Sequence, residues 1–96
     1  MARKIVWTDR AISELTEISA FIERESPAIA ALVCSRIVAR TEQAAEFPFS
    51  GRRVPGRDEN VRELFWRSYR VIYRVDAPKI LILTVVHGSR VLEESL

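Results

Sequence analysis

Apolar positions along this chain change their period several times, and each change predicts a different element. KIVWT, residues 4–8, alternates, which predicts a short strand with Ile5 and Trp7 on one face. Thr8 or Asp9 then offers a side-chain oxygen to cap a helix. From there Ile12, Leu15, Ile18 and Ile22 recur at steps of three and four, with Ala11 and Phe21 beside them. That spacing predicts an amphipathic helix over about residues 9–24. RESPAIA breaks the pattern and restarts it. Ser26 is a good N-cap, and Pro27 suits a first helical position, where its missing N–H would have had no partner. Ala30, Val33, Cys34, Ile37, Val38, Thr41, Ala44 and Ala45 then mark one side of a second helix, ending near Phe47 and before Pro48. Two helices so closely joined form an antiparallel hairpin.

Residues 48–60, PFSGRRVPGRDEN, read as a loop, and a long one, which points to a functional role. VREL, residues 61–64, is a short strand, and FWRS a turn or bulge. YRVIYRVD, residues 69–76, alternates strictly. DAPK turns the chain, and KILILTVVH, residues 79–87, is the nearly unbroken apolar run of a central strand, ended by Gly88. The order is β-α-α-β-β-β, an α+β fold whose helix hairpin packs on one face of a mainly antiparallel sheet. The whole chain, 1–96, is expected to form one domain.

A two-residue turn at DAPK places Tyr73 opposite Ile82 and Arg74 opposite Leu81. One face then collects Tyr69, Val71, Tyr73, Val75, Ile80, Ile82, Thr84 and Val86, and should meet the helices. The other collects Arg70, Ile72, Arg74, Leu81, Leu83, Val85 and His87. A one-residue slip would reshuffle these sets. The second face is too apolar for a surface and too charged for a core. It reads as a partner-binding surface, unless loop 48–60 or the C-terminal tail covers it.

Composition narrows the classes. The chain is 48% hydrophobic, enough for a modest core, and its single cysteine, Cys34, cannot form an internal disulfide. Cys34 lies on an apolar helical stripe, which fits a buried thiol better than a nucleophile. No apolar run is long enough to span a membrane and no leader is visible, so a cytoplasmic location is expected. Net charge is only +2, which argues against a general DNA-coating protein. It is uneven, however: residues 1–48 carry a net −1 and residues 49–96 a net +3. Arginine outnumbers lysine 13 to 2, which suits forked contacts to carboxylate or phosphate and equally fits a coding bias.

No Cys/His cluster suggests zinc, and no glycine motif suggests a nucleotide. What remains is a metal-free phosphate site built from Arg62, Arg70, Arg74, Arg90, His87 and tyrosines. Such a set can in principle cut RNA: a base takes the 2′-OH proton, arginines hold the phosphate, and an acid protonates the leaving oxygen. His87 is the side chain whose ordinary pKa suits that work, although a lone histidine at a strand end is more often structural.

At these residues the chain resembles the RelE/ParE superfamily of toxins from type II toxin–antitoxin modules, and most of all its ParE branch. The likeness runs nearly end to end: IVWTDRAISELTEISAFI, ESPAIA, FPFSGRRVPGRDENVREL, SYRVIYRV and VVHGSR, in that order. The resemblance implies a β-α-α-β-β-β fold and a cognate, ParD-like antitoxin whose C-terminal segment wraps the toxin in a hetero-oligomer. It implies no cofactor, and DNA contact only through the antitoxin or the target complex. ParE-type members inhibit DNA gyrase, whereas RelE-type members cut mRNA on the ribosome. Cutters carry a tyrosine or a His-Tyr pair near the C-terminus; here His87 is followed by Gly88, and no aromatic residue follows Tyr73. The expectation is therefore a toxin that acts by binding, with antitoxin or target contacts at Arg62, Arg70, Arg74, Leu81, Leu83, His87 and Arg90. The alternatives are a metal-free ribonuclease using His87, Arg62, Arg70 and Arg90, or a toxin-like fold kept only for complex formation.

Overall fold

The computed structural model describes residues 3–88 and Leu92. Strand β1 (Lys4–Trp7) leads into helices α1 (Asp9–Glu23) and α2 (Pro27–Glu46). Strands β2 (Arg52–Arg53), β3 (Val61–Trp66), β4 (Tyr69–Asp76) and β5 (Lys79–His87) follow. They form one sheet in the order β1-β5-β4-β3-β2, with β1 parallel to β5 and the other pairs antiparallel. The expected α+β order holds, with two corrections. Arg52 and Arg53, expected in the loop, pair with Glu63 and Arg62 as a short edge strand. The turn at FWRS is shorter than expected: β3 runs on through Phe65 and Trp66, and only Arg67 and Ser68 turn the chain. Two residues carry no period, so alternation could not reveal β2. Strand β5 has a neighbour on both sides, which accounts for its continuous apolar run. Among the described residues no helix is long and apolar enough to cross a membrane.

Both helix starts follow from their caps. Thr8 Oγ1 accepts the Ala11 N–H at 3.1 Å and donates to the Ile82 carbonyl at 2.8 Å, so one hydroxyl caps α1 and ties it to β5. Ser26 Oγ accepts the Ile29 N–H at 3.2 Å, and Pro27 opens α2. The α1 stripe is as expected at Leu15, Ile18 and Ile22, but at its start Ala11 faces the core in place of Ile12. Ala11, Leu15, Ile18 and Ile22 face the core, while Ile12 is 50% and Phe21 73% exposed. One residue turns a helix by about 100°, enough to move Ile12 off a stripe centred on Ala11. In α2, Ala30, Val33, Ile37, Thr41, Ala44 and Ala45 are buried; Cys34 is only half-buried, and Val38 is exposed. The core is where Ala11, Val33, Ile37 and Ala44 of the helices meet Leu64, Val71, Tyr73, Ile80, Ile82 and Val85 of the sheet.

The β4–β5 register carries the main surprise. From Asp76 opposite Lys79 to Tyr73 opposite Ile82 it is as expected. Leu83 is then an extra residue, and the pairs become Ile72 with Thr84, Val71 with Val85, Arg70 with Val86 and Tyr69 with His87. One inserted residue reverses the face of every later side chain. Val85 and His87 therefore belong to the helix side, and Val86 joins Arg70 on the far face, the reverse of the expected assignment. Thr84, at the bulge, is fully buried and donates its hydroxyl to Glu14 Oε1, which also accepts the Val85 N–H at 3.2 Å. Strand β1 ends at Trp7, so Glu14 of α1 takes over where a neighbouring strand is missing.

Tyr73 pins the segment before β2. Its buried hydroxyl donates to the Pro48 carbonyl at 2.6 Å and accepts the Gly51 N–H at 3.1 Å. A Cβ on Gly51 would collide with this hydroxyl and with the Glu63 carbonyl, so close approach requires glycine there. Tyr73→Phe strands both partners and should cost about 1–3 kcal/mol in a denaturant titration. Burial pushes the Tyr73 hydroxyl above its usual 10.0. Its stabilisation is thus complete below about pH 10 and is lost as pH rises through the higher folded value. The wild-type chain should therefore lose more stability above pH 10 than the Phe variant does.

Candidate functional site

Arg52, Arg70 and Arg74 of the sheet are already engaged by carboxylates. Glu63, opposite Ile72 on the far face, is fully buried. Arg52 Nε donates to its Oε1 at 2.9 Å, and Arg70 Nε to its Oε2 at 3.1 Å, so each carboxylate oxygen holds one guanidinium. Arg74 pairs with Asp58 at 3.0 Å. The Asn60 N–H, and after it Arg74, hold the exposed Asp58 carboxyl below its usual 3.8. The centre of this face is not open. Ile72 is 1% exposed, packed with Val54 and Val61, with Leu83 and Leu92 against them. Loop 48–60 and Leu92 thus cover the surface that the sequence left to a partner. Leu81 is half-buried, between Arg74 and Val6.

Arg62 is not on that face. It lies opposite Tyr73, on the helix side. Its Nε donates to the Glu59 carbonyl at 2.8 Å, its Nη1 to the Gly51 carbonyl at 3.4 Å, and its guanidinium stands 5.0 Å over the Phe49 ring. His87 is exposed and meets Tyr69 edge-on, with ring centroids 6.0 Å apart. Arg90 lies outside the described residues. The ribonuclease set is therefore not assembled: the bulge puts His87 and Arg70 on opposite faces, and Arg62 is turned to the 48–51 segment.

What His87 and Tyr69 do join is a pair of shallow apolar clefts. The first lies between α1 and the end of β5, lined by Glu14, Glu17, Ile18, Phe21 and Val85. The second lies between α2 and the β3–β4 turn, lined by Ile29, Leu32, Val33, Trp66 and Arg67. Phe21, Ile29 and Leu32 are 73%, 54% and 47% exposed, so large apolar side chains stand in water around one rim. Arg67, at φ 51°, holds the left-handed conformation in the turn and lays its guanidinium over Trp66 at 5.2 Å. Sequence reasoning missed Phe21, Ile29 and Leu32 as site residues. Their signal was there: they are apolar but lie off the buried stripe of their helix.

Comparison with known proteins places this chain among toxins. A family model described as "ParE toxin of type II toxin-antitoxin system, parDE" matches residues 5–92. The chain is 44% identical over 93 residues to "Putative toxin Y4kP" of Sinorhizobium fredii (strain NBRC 101917 / NGR234), covering 94% of each chain. Its fold is similar to a structure titled as the chromosomal ParDE TA system from P. aeruginosa, with a TM-score of 0.73 at 21% identity, covering 90% of this chain and 96% of that one. It is also similar to the toxin–antitoxin complex RelBE2 from Mycobacterium tuberculosis, with a TM-score of 0.61 at 21% identity, covering 91% and 99%.

Proposed function

Because the chain belongs to the ParE toxin family of type II toxin–antitoxin systems, we propose that it acts by binding: it inhibits DNA gyrase, and so replication, until a cognate ParD-like antitoxin occupies the clefts around Tyr69 and His87. The observation that favours binding over RNA cutting is the separation of the candidate catalytic groups. A metal-free nuclease needs its base and its phosphate clamp to converge on one atom. Here His87 faces the helices, while Arg70 is held on the far face by a buried carboxylate. The clefts suit an antitoxin helix, whose leucine-like side chains would fill them and cover Phe21, Ile29 and Leu32. Any DNA contact then passes through the antitoxin or the gyrase complex.

A supercoiling assay with purified gyrase tests this reading, run beside a ribosome-dependent mRNA cleavage assay. The wild-type protein is expected to block supercoiling or accumulate cleaved DNA, and His87→Ala to keep that activity. Untouched gyrase together with mRNA cuts that vanish in His87→Ala would overturn the proposal.

A further inference from the structure

The two clefts at Tyr69 and His87 belong to a larger ring. Phe21 lines the cleft against β5 and also a third one, at the connection between α1 and α2. Ile29 lines that third cleft and the one beside the β3–β4 turn. Tyr69 and His87 line both sheet clefts. Each cleft therefore shares a residue with each of the others, so Phe21, Ile29 and Leu32 stand around Tyr69 and His87 on one continuous surface. A contiguous exposed apolar surface rimmed by charge marks a site of association.

The charges of the rim are sorted. Helix α1 packs over β5 and α2 over β3, and β4 lies between those strands. The two sheet clefts thus lie on opposite sides of the Tyr69–His87 pair. The β5 side carries Glu14 and Glu17, and the β3 side carries Arg67. Glu14 is held by Thr84, the Val85 N–H and Arg10, so the exposed Glu17 is the acid that faces outward. Arg67 is exposed as well, and its place over Trp66 orders it before any partner arrives. The third cleft carries one charge of each sign, Arg24 and Glu25.

We infer that this end of the chain pairs with a second copy of itself about a two-fold axis near Tyr69 and His87. A two-fold contact needs a surface complementary to itself. Acid on one side, base on the other and apolar side chains between meet that condition. The rotation exchanges the two sides, so Glu17 of each copy meets Arg67 of the other, and Phe21, Ile29 and Leu32 of both copies are covered. Apolar cover drives the association, and the two ion pairs set its orientation. The contact is small, so the pairing is weak and reversible. A nucleic acid fits less well, because its phosphates would meet Glu14 and Glu17 beside a single arginine. The pairing rests on this surface alone. One consequence rests on the function proposed above: an antitoxin seated in the same clefts excludes pairing, so only the free toxin would form the dimer.

The test is sedimentation velocity of the full chain without antitoxin, over about 1 µM to 1 mM. The mass is expected to rise from monomer to dimer and stop there. Phe21→Ser should weaken pairing about tenfold or more, with an unchanged far-ultraviolet spectrum, since Phe21 lies outside the core. Glu17→Arg and Arg67→Glu should each do the same, because each sets like charges together at both ends of the contact. An equal mixture of those two variants is expected to dimerise again, since every facing pair is then opposite in sign, and this recovery also shows that both variants are folded. A monomer throughout, growth beyond the dimer, a dimer indifferent to Phe21→Ser, or a mixture that stays monomeric would each overturn the inference. Gyrase left untouched in the supercoiling assay would sink the proposed function and leave the pairing standing.

Discussion

Glu63→Ala is expected to lower the unfolding free energy by about 3–5 kcal/mol, because it strands buried charge. Arg70, whose side chain is 13% exposed, would lose its carboxylate in a setting that water can hardly reach. Arg52 would lose less, because its side chain is 68% exposed and solvent already screens it. Thermal unfolding should reveal the drop as a fall in Tm on the order of 15 °C or more for a chain of this size. A second variant separates lost charge pairing from lost packing. Glu63→Leu with Arg70→Met removes both partners and fills the space with apolar atoms, and much of the stability should return. A double variant as unstable as Glu63→Ala would show that the pair contributes through shape rather than charge. By contrast, Arg74→Ala breaks an exposed pair with Asp58 and should cost under about 1 kcal/mol.

Leu32→Glu is expected to weaken antitoxin binding by about 30-fold or more while sparing the fold. Leu32 is 47% exposed on α2, so a carboxylate there stays solvated in the free toxin. In the complex the same carboxylate would be buried against apolar side chains with no partner. Calorimetric titration of the toxin with its cognate antitoxin measures the loss, and a gyrase assay on the free variant shows whether the activity persists. Equal affinity for wild type and Leu32→Glu would move the antitoxin away from the clefts.

These two predictions rest on residues that the sequence reading treated differently. Glu63 lay in plain view beside Arg62, and a salt bridge from the β4 arginines to it was foreseeable. That it would be fully buried and take two arginines was not, because Arg52 sat in what looked like a loop. Leu32 lies between Ala30 and Val33, and its exposure follows from which residue the helix stripe is centred on. At the start of α1, packing likewise put Ala11 rather than Ile12 in the core. Hydrophobic periodicity locates a stripe to within about one residue, while packing against β5 selects its centre.

The sequence alone determined both helices and every strand but β2, their order, and the resemblance to the family. Caps, breaks and periods are local, and Thr8, Ser26, Pro27 and the alternation of YRVIYRVD act within a few residues of where they stand. It also determined that Tyr69, Val71, Tyr73 and Val75 share the face toward the helices. Only the tertiary structure decided which groups share a site. The extra residue at Leu83 is invisible in a run of β-branched and leucine residues, since the positions on either side, Thr84 apart, are apolar and either face would accept them. Yet that single residue carries His87 away from Arg70 and joins it to Tyr69, Phe21 and Leu32 instead. Pairing register is set by contacts far apart along the chain, and it is register that turned a candidate phosphate site into an internal ion pair beside an apolar docking surface.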